Sequence, residues 1–66
     1  MKIDKLKGKM VEHRINVEML ASMMGCHPSS LYRKFDKPDK ITIGDAKKIR
    51  QIVPMTNEDA YDIFLA

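Results

Sequence analysis

Apolar residues recur at helical spacing along almost the whole chain, and no repeat, linker or low-complexity segment interrupts them. This pattern predicts five helices and no sheet. The first helix is expected from about Asp4, acting as its N-cap, to about His13. Gly8 in its middle is either spare or required for close packing, since glycine costs about 1 kcal/mol relative to alanine in a helix interior. The residues of this helix predicted to face inward are Leu6, Met10 and Val11.

Two short amphipathic runs follow, joined at Gly25. Asn16 is predicted to cap the second helix, Val17–Met24, which Gly25 ends. His27 and Pro28 are then expected to be the cap and the first residue of a third helix, because the missing N–H of proline is harmless at that position. The residues of both helices predicted to face the core are Leu20, Ala21, Met24, Leu31 and Phe35.

A turn over residues 36–40 separates the third helix from the fourth. Thr42 is predicted to cap the fourth helix and Pro54 to end it. Lysines and an arginine occupy the polar side of this helix. Its predicted inward stripe consists of Ile43, Ala46, Ile49, Ile52 and Val53.

The C-terminal segment predicts a fifth helix over about residues 57–65. Thr56 with Asp59 three residues later resembles a capping box at its start. Most of the residues after Asp59 are apolar, which covers more of the helix circumference than one core-facing stripe needs. Ala60 and Ile63 are therefore assigned to the core. The remaining apolar residues predict a homodimer contact formed by Tyr61, Phe64 and Leu65.

The composition limits the possible classes of function. The 66 residues include no Trp, two Phe and two Tyr, which suffice for one small core in a single domain spanning residues 1–66. A domain of this size cannot enclose a large substrate cleft, and no catalytic combination of side chains is evident. We therefore expect neither an enzyme nor a small-molecule substrate.

Cysteine content and hydropathy exclude further classes. Cys26 alone cannot form an internal disulfide, and two histidines do not complete a four-ligand zinc pattern, so no metal or cofactor is expected. No apolar run approaches the roughly 20 residues needed to cross a bilayer, and no apolar signal core follows the basic N-terminus. These features predict a cytoplasmic protein without membrane contact.

Charge is unevenly distributed along the chain. Residues 1–50 carry all 12 Lys and Arg but only six of the nine Asp and Glu, whereas residues 51–66 carry the other three acids and no base. A basic body with an acidic tail fits a polyanion-binding surface whose far end faces away or faces a partner. A solvated surface of mixed charge explains the pattern equally well.

The second and third predicted helices have the spacing of a helix-turn-helix unit, residues 16–35, whose second helix can enter the major groove of DNA. Ala21 is small where the helices cross, and Gly25 lies in the turn. Cys26 fills the core after the turn, and Leu31 fixes the second helix. Each feature alone is weak, but their joint spacing favours binding of double-stranded DNA.

The runs NVEMLASMMGCHPSSLYRKF and ITIGDAKKIRQI together resemble the Cro/CI-type phage repressor helix-turn-helix family, most closely its short Cro-like members. The resemblance covers roughly residues 4–53. It implies a compact all-α, five-helix, lambda-repressor-like domain that represses transcription in a bacterial host by binding a palindromic operator as a homodimer. Arg14 stands where this family often has glycine. The residues that match the family pattern are Asn16, Leu20, Ala21, Gly25, Leu31, Arg33 and Thr42.

The polar side of the third helix follows from helical geometry, because Leu31 and Phe35 point inward and successive residues are about 100° apart. Ser29 and Arg33 then lie nearly opposite the core. Arg33 can donate two hydrogen bonds to O6 and N7 of guanine, and Ser29 can donate or accept at several bases. Tyr32 beside them can touch a thymine methyl group or a phosphate. These three residues are the predicted base contacts, and solvent-exposed side chains on a structural helix are the alternative.

Phosphate contacts fix the register and affinity of a DNA-binding protein without reading sequence. Around the third helix, basic and polar side chains are placed to reach phosphates on either side of the groove. An ordinary solvated charge cluster is the alternative for Lys34 and Lys37 in particular. The predicted backbone contacts are Asn16, Ser30, Lys34, Lys37 and Lys40.

A second class of function stays open, namely a protein-interaction module that uses the same helical fold without specific DNA binding. Met19 and Met23, one turn apart on the flank of the second helix, would contribute to its surface together with the apolar tail. Flexible methionines that merely cover a groove are the alternative for these two residues. A salt-dependent gel shift separates the two classes, because neutralisation of phosphates makes DNA affinity fall steeply with salt.

Overall fold

A computed structural model of the chain describes residues 1–65, in which five α-helices occur and no strand. The helices are α1 (Ile3–Glu12), α2 (Val17–Met24), α3 (Pro28–Asp36), α4 (Ile43–Ile52) and α5 (Asn57–Phe64). A 3-10 turn, Pro38–Lys40, joins α3 to α4. The prediction of an all-helical chain with five helices is confirmed over this range; Ala66, the last residue of the predicted domain, lies outside it. None of the five helices is long and apolar enough to cross a membrane.

A single core holds the helices together, and each helix contributes to it one large side chain that is at most 1% exposed. Burying a leucine or isoleucine side chain contributes about 1.5–3 kcal/mol. Ala21 is also fully buried on α2, the helix that packs most extensively against α3. The five side chains, one from each helix in chain order, are Leu6, Leu20, Leu31, Ile49 and Ile63.

Local side-chain chemistry sets the starts of four helices, as predicted. The Oδ1 atom of Asn16 accepts a hydrogen bond from the Met19 N–H at 2.8 Å and so caps α2. His27 caps α3, with Pro28 as the first helical residue. Thr42 and Thr56 cap the last two helices, each within a complete capping box.

The two capping boxes have matching geometry. Thr42 Oγ1 accepts from the Asp45 N–H at 3.0 Å, while Asp45 Oδ2 accepts from the Thr42 N–H at 3.1 Å. In α5 the corresponding distances between Thr56 and Asp59 are 3.1 and 3.4 Å. The sequence predicts the capping box at Thr56. At Thr42 it predicts the N-cap but not the return bond from Asp45.

Two turns of the same type flank α2. After α1, the Ile15 N–H donates to the Met10 carbonyl at 2.8 Å and the Arg14 N–H to the Val11 carbonyl at 3.0 Å. After α2, the Cys26 N–H donates to the Ala21 carbonyl at 3.0 Å and the Gly25 N–H to the Ser22 carbonyl at 3.2 Å. Each is a Schellman motif, which needs a residue in the left-handed conformation. That residue is Gly25, at φ 76°, in one turn and Arg14, at φ 56°, in the other.

Three predictions about helix ends and inward faces are wrong. Asp4 is not an N-cap, because α1 already begins at Ile3 and the Lys2 N–H before it donates to the Ile63 carbonyl at 2.8 Å. Val11 and Ile43 do not face inward, since they are 76% and 79% exposed. At about 100° per residue, Val11 lies about 140° around α1 from the buried Leu6, and Ile43 lies about 120° around α4 from the buried Ile49, so both fall outside the stripe that reaches the core.

The structure answers whether Gly8 is needed for packing and whether Ala60 and Ile63 face the core. A Cβ atom built on Gly8 would meet nothing within 4 Å, so this glycine is not required for close packing. Ala60 and Ile63 are buried in the core, as predicted, at 7% and 0% exposure. The 36–40 segment departs from a simple turn, since α3 continues through Asp36 before the 3-10 turn begins.

Candidate nucleic-acid interface

The outer side of α3 is polar because its apolar residues are committed to the core. Leu31 and Phe35 are 1% and 5% exposed and anchor the helix on its inner side. The residues on the opposite side are exposed. α2 packs against α3, and the turn that contains Gly25 joins the two helices. We refer to this exposed surface as the α3 face, and it consists of Ser29, Ser30, Tyr32 and Arg33.

Arg33 is the strongest hydrogen-bond donor of the α3 face. Its side chain is exposed and has no hydrogen-bonding or ion-pair partner within residues 1–65. Asp36, three positions further along the helix, is exposed as well and places a negative charge at the C-terminal end of α3. Lys37, exposed beside Asp36, places a positive charge at the same end of the helix.

Ser29 lies against the cap of α3. The Nδ1 atom of His27 accepts a hydrogen bond from the Ser29 N–H at 3.2 Å and lies 2.7 Å from Ser29 Oγ. The hydroxyl of Ser29 thus already has an internal partner, whereas that of Ser30 has none among the described residues. The predicted cap role of His27 is confirmed.

Tyr32 is tied to α2. Its hydroxyl donates a hydrogen bond to Glu18 Oε1 at 2.8 Å. This hydrogen bond lowers the pKa of the Glu18 carboxyl and raises the pKa of the Tyr32 phenol. The phenol proton is therefore engaged within the protein and lies beside a negative charge. Tyr32 as a whole is 49% exposed, so the apolar surface of its side chain, rather than its proton, is available to a ligand.

Lys34 is held by α4 rather than free at the surface. Its Nζ atom lies 2.6 Å from Asp45 Oδ2, and the two side chains are 34% and 16% exposed. Burial raises the pKa of Asp45, but the hydrogen bonds from Lys34 and Thr42 outweigh burial and hold that pKa below its usual value. One carboxylate therefore caps α4 and links α4 to α3.

The other predicted backbone contacts differ in availability. Asn16 uses Oδ1 as a helix cap, which leaves its side-chain amide hydrogens without a partner among the described residues. Lys37 lies exposed directly after α3 and Lys40 lies exposed at the end of the 3-10 turn, and neither carries an ion pair within residues 1–65. Asn16 thus lies at the start of α2 and the two lysines lie after α3, and their contacts with DNA stay predictions.

Two of the three acidic side chains of the tail, Asp59 and Asp62, pair with lysines of α1. Lys9 Nζ lies 3.1 Å from Asp59, and Lys5 makes a hydrogen bond to Asp62 and lies 3.9 Å from Asp59. These pairs lower the pKa of both aspartates and raise the pKa of both lysines. Nine of the 12 Lys and Arg side chains carry no ion pair within residues 1–65, and three of these nine, Arg33, Lys37 and Lys40, lie on α3 or in the turn after it.

The predicted dimer patch is exposed at two of its three residues. Tyr61 and Leu65 are 60% and 74% exposed, whereas Phe64 is half-buried against the core. They line an open groove of about 430 Å³ between α4 and α5. Ile43, which the sequence pattern had assigned to the core, lies exposed on the α4 side of the same groove. It therefore adds to the apolar surface of the patch.

Sequence reasoning missed two acids beside the candidate interface. The spacing Thr42-x-x-Asp45 is the same capping-box signal that identified Thr56 and Asp59, so Asp45 was recognisable. Glu18 lies 14 positions from Tyr32, and no sequence rule links residues at that distance.

Other chemistries find little support among residues 1–65, where His, Cys, Asp and Glu do not gather in groups of three that could hold a metal ion. Cys26 is a free, half-buried thiol.

Comparison of the chain with protein-family models, curated proteins and solved structures finds no match in any of the three. The function has to follow from the residues themselves.

Proposed function

We propose that this chain is a sequence-specific regulator of transcription, a repressor of the Cro kind, that binds double-stranded DNA by placing α3 in the major groove. The observation that carries the proposal is the α3 face, in which Arg33, exposed and without an ion pair among the described residues, lies opposite the buried Leu31 and Phe35. The glycine turn between α2 and α3 supports it, because two short helices joined in this way are typical of a helix-turn-helix unit.

Three side chains of the α3 face read bases in this proposal. Arg33 donates two hydrogen bonds to O6 and N7 of guanine, the commonest specific contact in the major groove. Ser29 makes a single hydrogen bond nearer the N-terminus of the helix. Tyr32 contributes the exposed side of its ring, which suits the methyl group of thymine.

Phosphates are held around this face by donors that have no partner among residues 1–65. Lys37 and Lys40 meet this condition, as do the amide hydrogens of Asn16 and the hydroxyl of Ser30. Lys34 must leave Asp45 to reach a phosphate, so it adds less affinity than the other lysines. These contacts set register and affinity and are independent of sequence.

The size of one protomer favours a dimer on DNA. Successive major grooves on one face of the duplex lie about 34 Å apart, whereas the longest dimension of the protomer is 28 Å. One protomer therefore reads one groove. Two-fold pairing through the patch of Ile43, Tyr61, Phe64 and Leu65 would place a second α3 in the next groove of a palindromic operator.

The test of the DNA-binding proposal contrasts Arg33 with Lys37 on an operator selected from random duplexes. Arg33→Ala should cost about 1–3 kcal/mol on the operator and much less on random duplex, because a bidentate base contact is lost. Lys37→Ala should weaken both duplexes by similar factors and reduce the slope of log affinity against log salt by about 1. Affinities are measured by titration at several salt concentrations.

Lys48→Ala is the matched control, since it removes one exposed positive charge from α4, outside the proposed interface. Affinity and salt slope should change little in this variant. Equal losses of Arg33→Ala on operator and random duplex would remove Arg33 from the base-reading role. No salt-dependent binding of any duplex by the parent chain would contradict the proposal as a whole.

The dimer is tested by sedimentation with and without operator. Leu65→Lys places a charge on the patch and should prevent the second protomer from binding, at little cost to folding because Leu65 is 74% exposed. Val11→Lys changes an equally exposed apolar residue on α1 and should leave two protomers on each operator. Saturation of a palindromic operator by one parent protomer would rule out the proposed pairing.

An interaction module for proteins is the second candidate, favoured by two exposed methionines. Met19 and Met23 are 42% and 60% exposed on α2, and flexible methionines suit adaptable apolar contacts. In this case Met19→Lys and Met23→Lys would abolish partner binding while Arg33→Ala would not. Salt-dependent binding of duplex DNA that survives both methionine substitutions favours the regulator.

A further inference from the structure

The hydrogen bonds between His27 and Ser29 fix which protonation form of the histidine ring caps α3. The Ser29 backbone N–H, whose direction is set by the helix, donates to His27 Nδ1 at 3.2 Å. A nitrogen that accepts this bond cannot itself carry a proton. The ring proton of the neutral imidazole must therefore be on Nε2.

This assignment determines the direction of the second hydrogen bond. Ser29 Oγ lies 2.7 Å from the same Nδ1 atom, well within hydrogen-bonding distance. Because Nδ1 is unprotonated, the proton in this bond is that of the Ser29 hydroxyl. Ser29 thus donates its only side-chain proton to His27 and presents only oxygen lone pairs to a ligand.

Ser30 provides an internal contrast. Its side chain is exposed, and its hydroxyl has no hydrogen-bonding partner within residues 1–65. A free serine hydroxyl can donate or accept, so Ser30 can donate to a phosphate oxygen, which only accepts. Ser29 cannot do so while its proton is held by His27. The two neighbouring serines therefore differ in what they can bind.

We infer that His27 is a positioning residue for base selection, which makes Ser29 an acceptor specific for bases with an exocyclic amino group. In the major groove, adenine presents the N6 amino group and cytosine the N4 amino group, whereas guanine and thymine present the O6 and O4 carbonyl oxygens. Ser29 in its acceptor-only form pairs with the amino bases and not with the carbonyl oxygens. This inference rests on the proposed DNA binding through α3.

Selection of binding sites from random duplexes tests the inference. The parent chain should show one position per half-site at which adenine or cytosine is preferred by about fivefold, the worth of one hydrogen bond. Ser29→Ala should abolish the preference at that position and leave the others. His27→Ala should broaden it to include guanine and thymine, because the freed hydroxyl can then donate.

A conservative variant separates positioning from folding. His27→Asn retains an oxygen that can accept from both the N–H and the hydroxyl of Ser29, and asparagine is a good N-cap. It should keep the preference for amino bases and melt like the parent. Ser22→Ala and His13→Ala, which remove a serine and a histidine outside the α3 face, serve as controls and should leave the selected sequence unchanged.

Nitrogen chemical shifts of the imidazole ring give a readout without DNA. At mildly alkaline pH, the free protein should show unprotonated Nδ1 and protonated Nε2 at His27. The opposite tautomer would overturn the inference, as would a preference for guanine or thymine at the position that Ser29→Ala abolishes. Absence of duplex binding by the parent would overturn the proposed function as well, whereas binding with no preference at the Ser29 position overturns this inference alone.

Discussion

The two turns that flank α2 have the same hydrogen bonds but different residues at their left-handed position. The turn between α2 and α3 places Gly25 at φ 76°, and the turn between α1 and α2 places Arg14 at φ 56°. Glycine adopts this conformation at no steric cost, whereas an L residue with a Cβ atom is strained there by about 1–2 kcal/mol. The two turns thus reach the same geometry with different conformational energies.

This difference shows that a turn can be imposed by its surroundings as well as encoded by its own residue. Ile15 follows Arg14 and is half-buried against the core, so packing on both sides of the turn holds the strained residue in place. Cys26 occupies the corresponding position after Gly25 and is half-buried too. At Gly25 the residue type and the packing favour the same backbone, and at Arg14 they oppose each other.

The largest expected effect comes from removing the favourable residue. Gly25→Val should lower the free energy of unfolding by about 2 kcal/mol, and Gly25→Ala by about 1 kcal/mol, because a branched Cβ is disfavoured further in the left-handed region. The space around Gly25 is open, with nothing within 4 Å of a Cβ atom, so this cost is conformational. Urea denaturation measures it. Equal stability of valine, alanine and glycine at this position would contradict the cost assigned to the left-handed backbone.

The next effect concerns the packing after each turn. Ile15→Ala should destabilise the fold by about 1–2 kcal/mol, since three partly buried carbon atoms are removed, and Cys26→Ala by less than about 1 kcal/mol, since only one sulfur is lost. The comparison uses the same denaturation assay. A larger loss for Cys26→Ala would mean that packing is more important in the glycine turn than in the arginine turn.

A smaller effect of opposite sign is expected when the strained residue is replaced. Arg14→Gly should stabilise the fold by about 0.5–1 kcal/mol, because relief of strain exceeds the added entropy of the unfolded chain. Arg14→Ala removes the same charge and keeps the strain, so it should change stability little. If both variants are stabilised equally, the guanidinium rather than the backbone is the unfavourable feature.

The smallest expected effect is the coupling between the two turns. They lie at opposite ends of an eight-residue helix, about 12 Å apart at 1.5 Å per residue. Changes at such separation usually add within about 0.3–0.5 kcal/mol. The double variant Arg14→Gly with Gly25→Ala should therefore equal the sum of the single variants, and a larger deviation would indicate that α2 transmits strain from one turn to the other.

Features determined by neighbouring residues were predictable from the sequence. The caps at Asn16, His27 and Thr56 depend on bonds that span at most three positions, and the stop at Gly25 depends on bonds that span at most five. The inward positions of Leu31 and Phe35 follow from helical periodicity alone. These elements define α2 and α3, so the outward position of Arg33 and Ser29 was predictable with them.

Features determined by distant residues were not predictable. The start of α1 at Ile3 accompanies a bond between Lys2 and Ile63, and the engagement of Lys34 and Tyr32 depends on acids of neighbouring helices. The apolar pattern placed Ile43 in the inward stripe of α4, but in the structure this first residue of the helix lies outside the buried stripe.

The contact between the chain ends has a kinetic consequence. Lys5 and Asp62 are 57 positions apart, and closing so long a loop costs more entropy than joining neighbouring helices across short turns. We expect α5 to dock on α1 after the rate-limiting step of folding. Substitutions of Lys5 or Asp62 should therefore accelerate unfolding and leave the folding rate nearly unchanged. Because α5 also carries the proposed dimer patch, a second protomer would clamp the helix that detaches first and lengthen the lifetime of the folded chain.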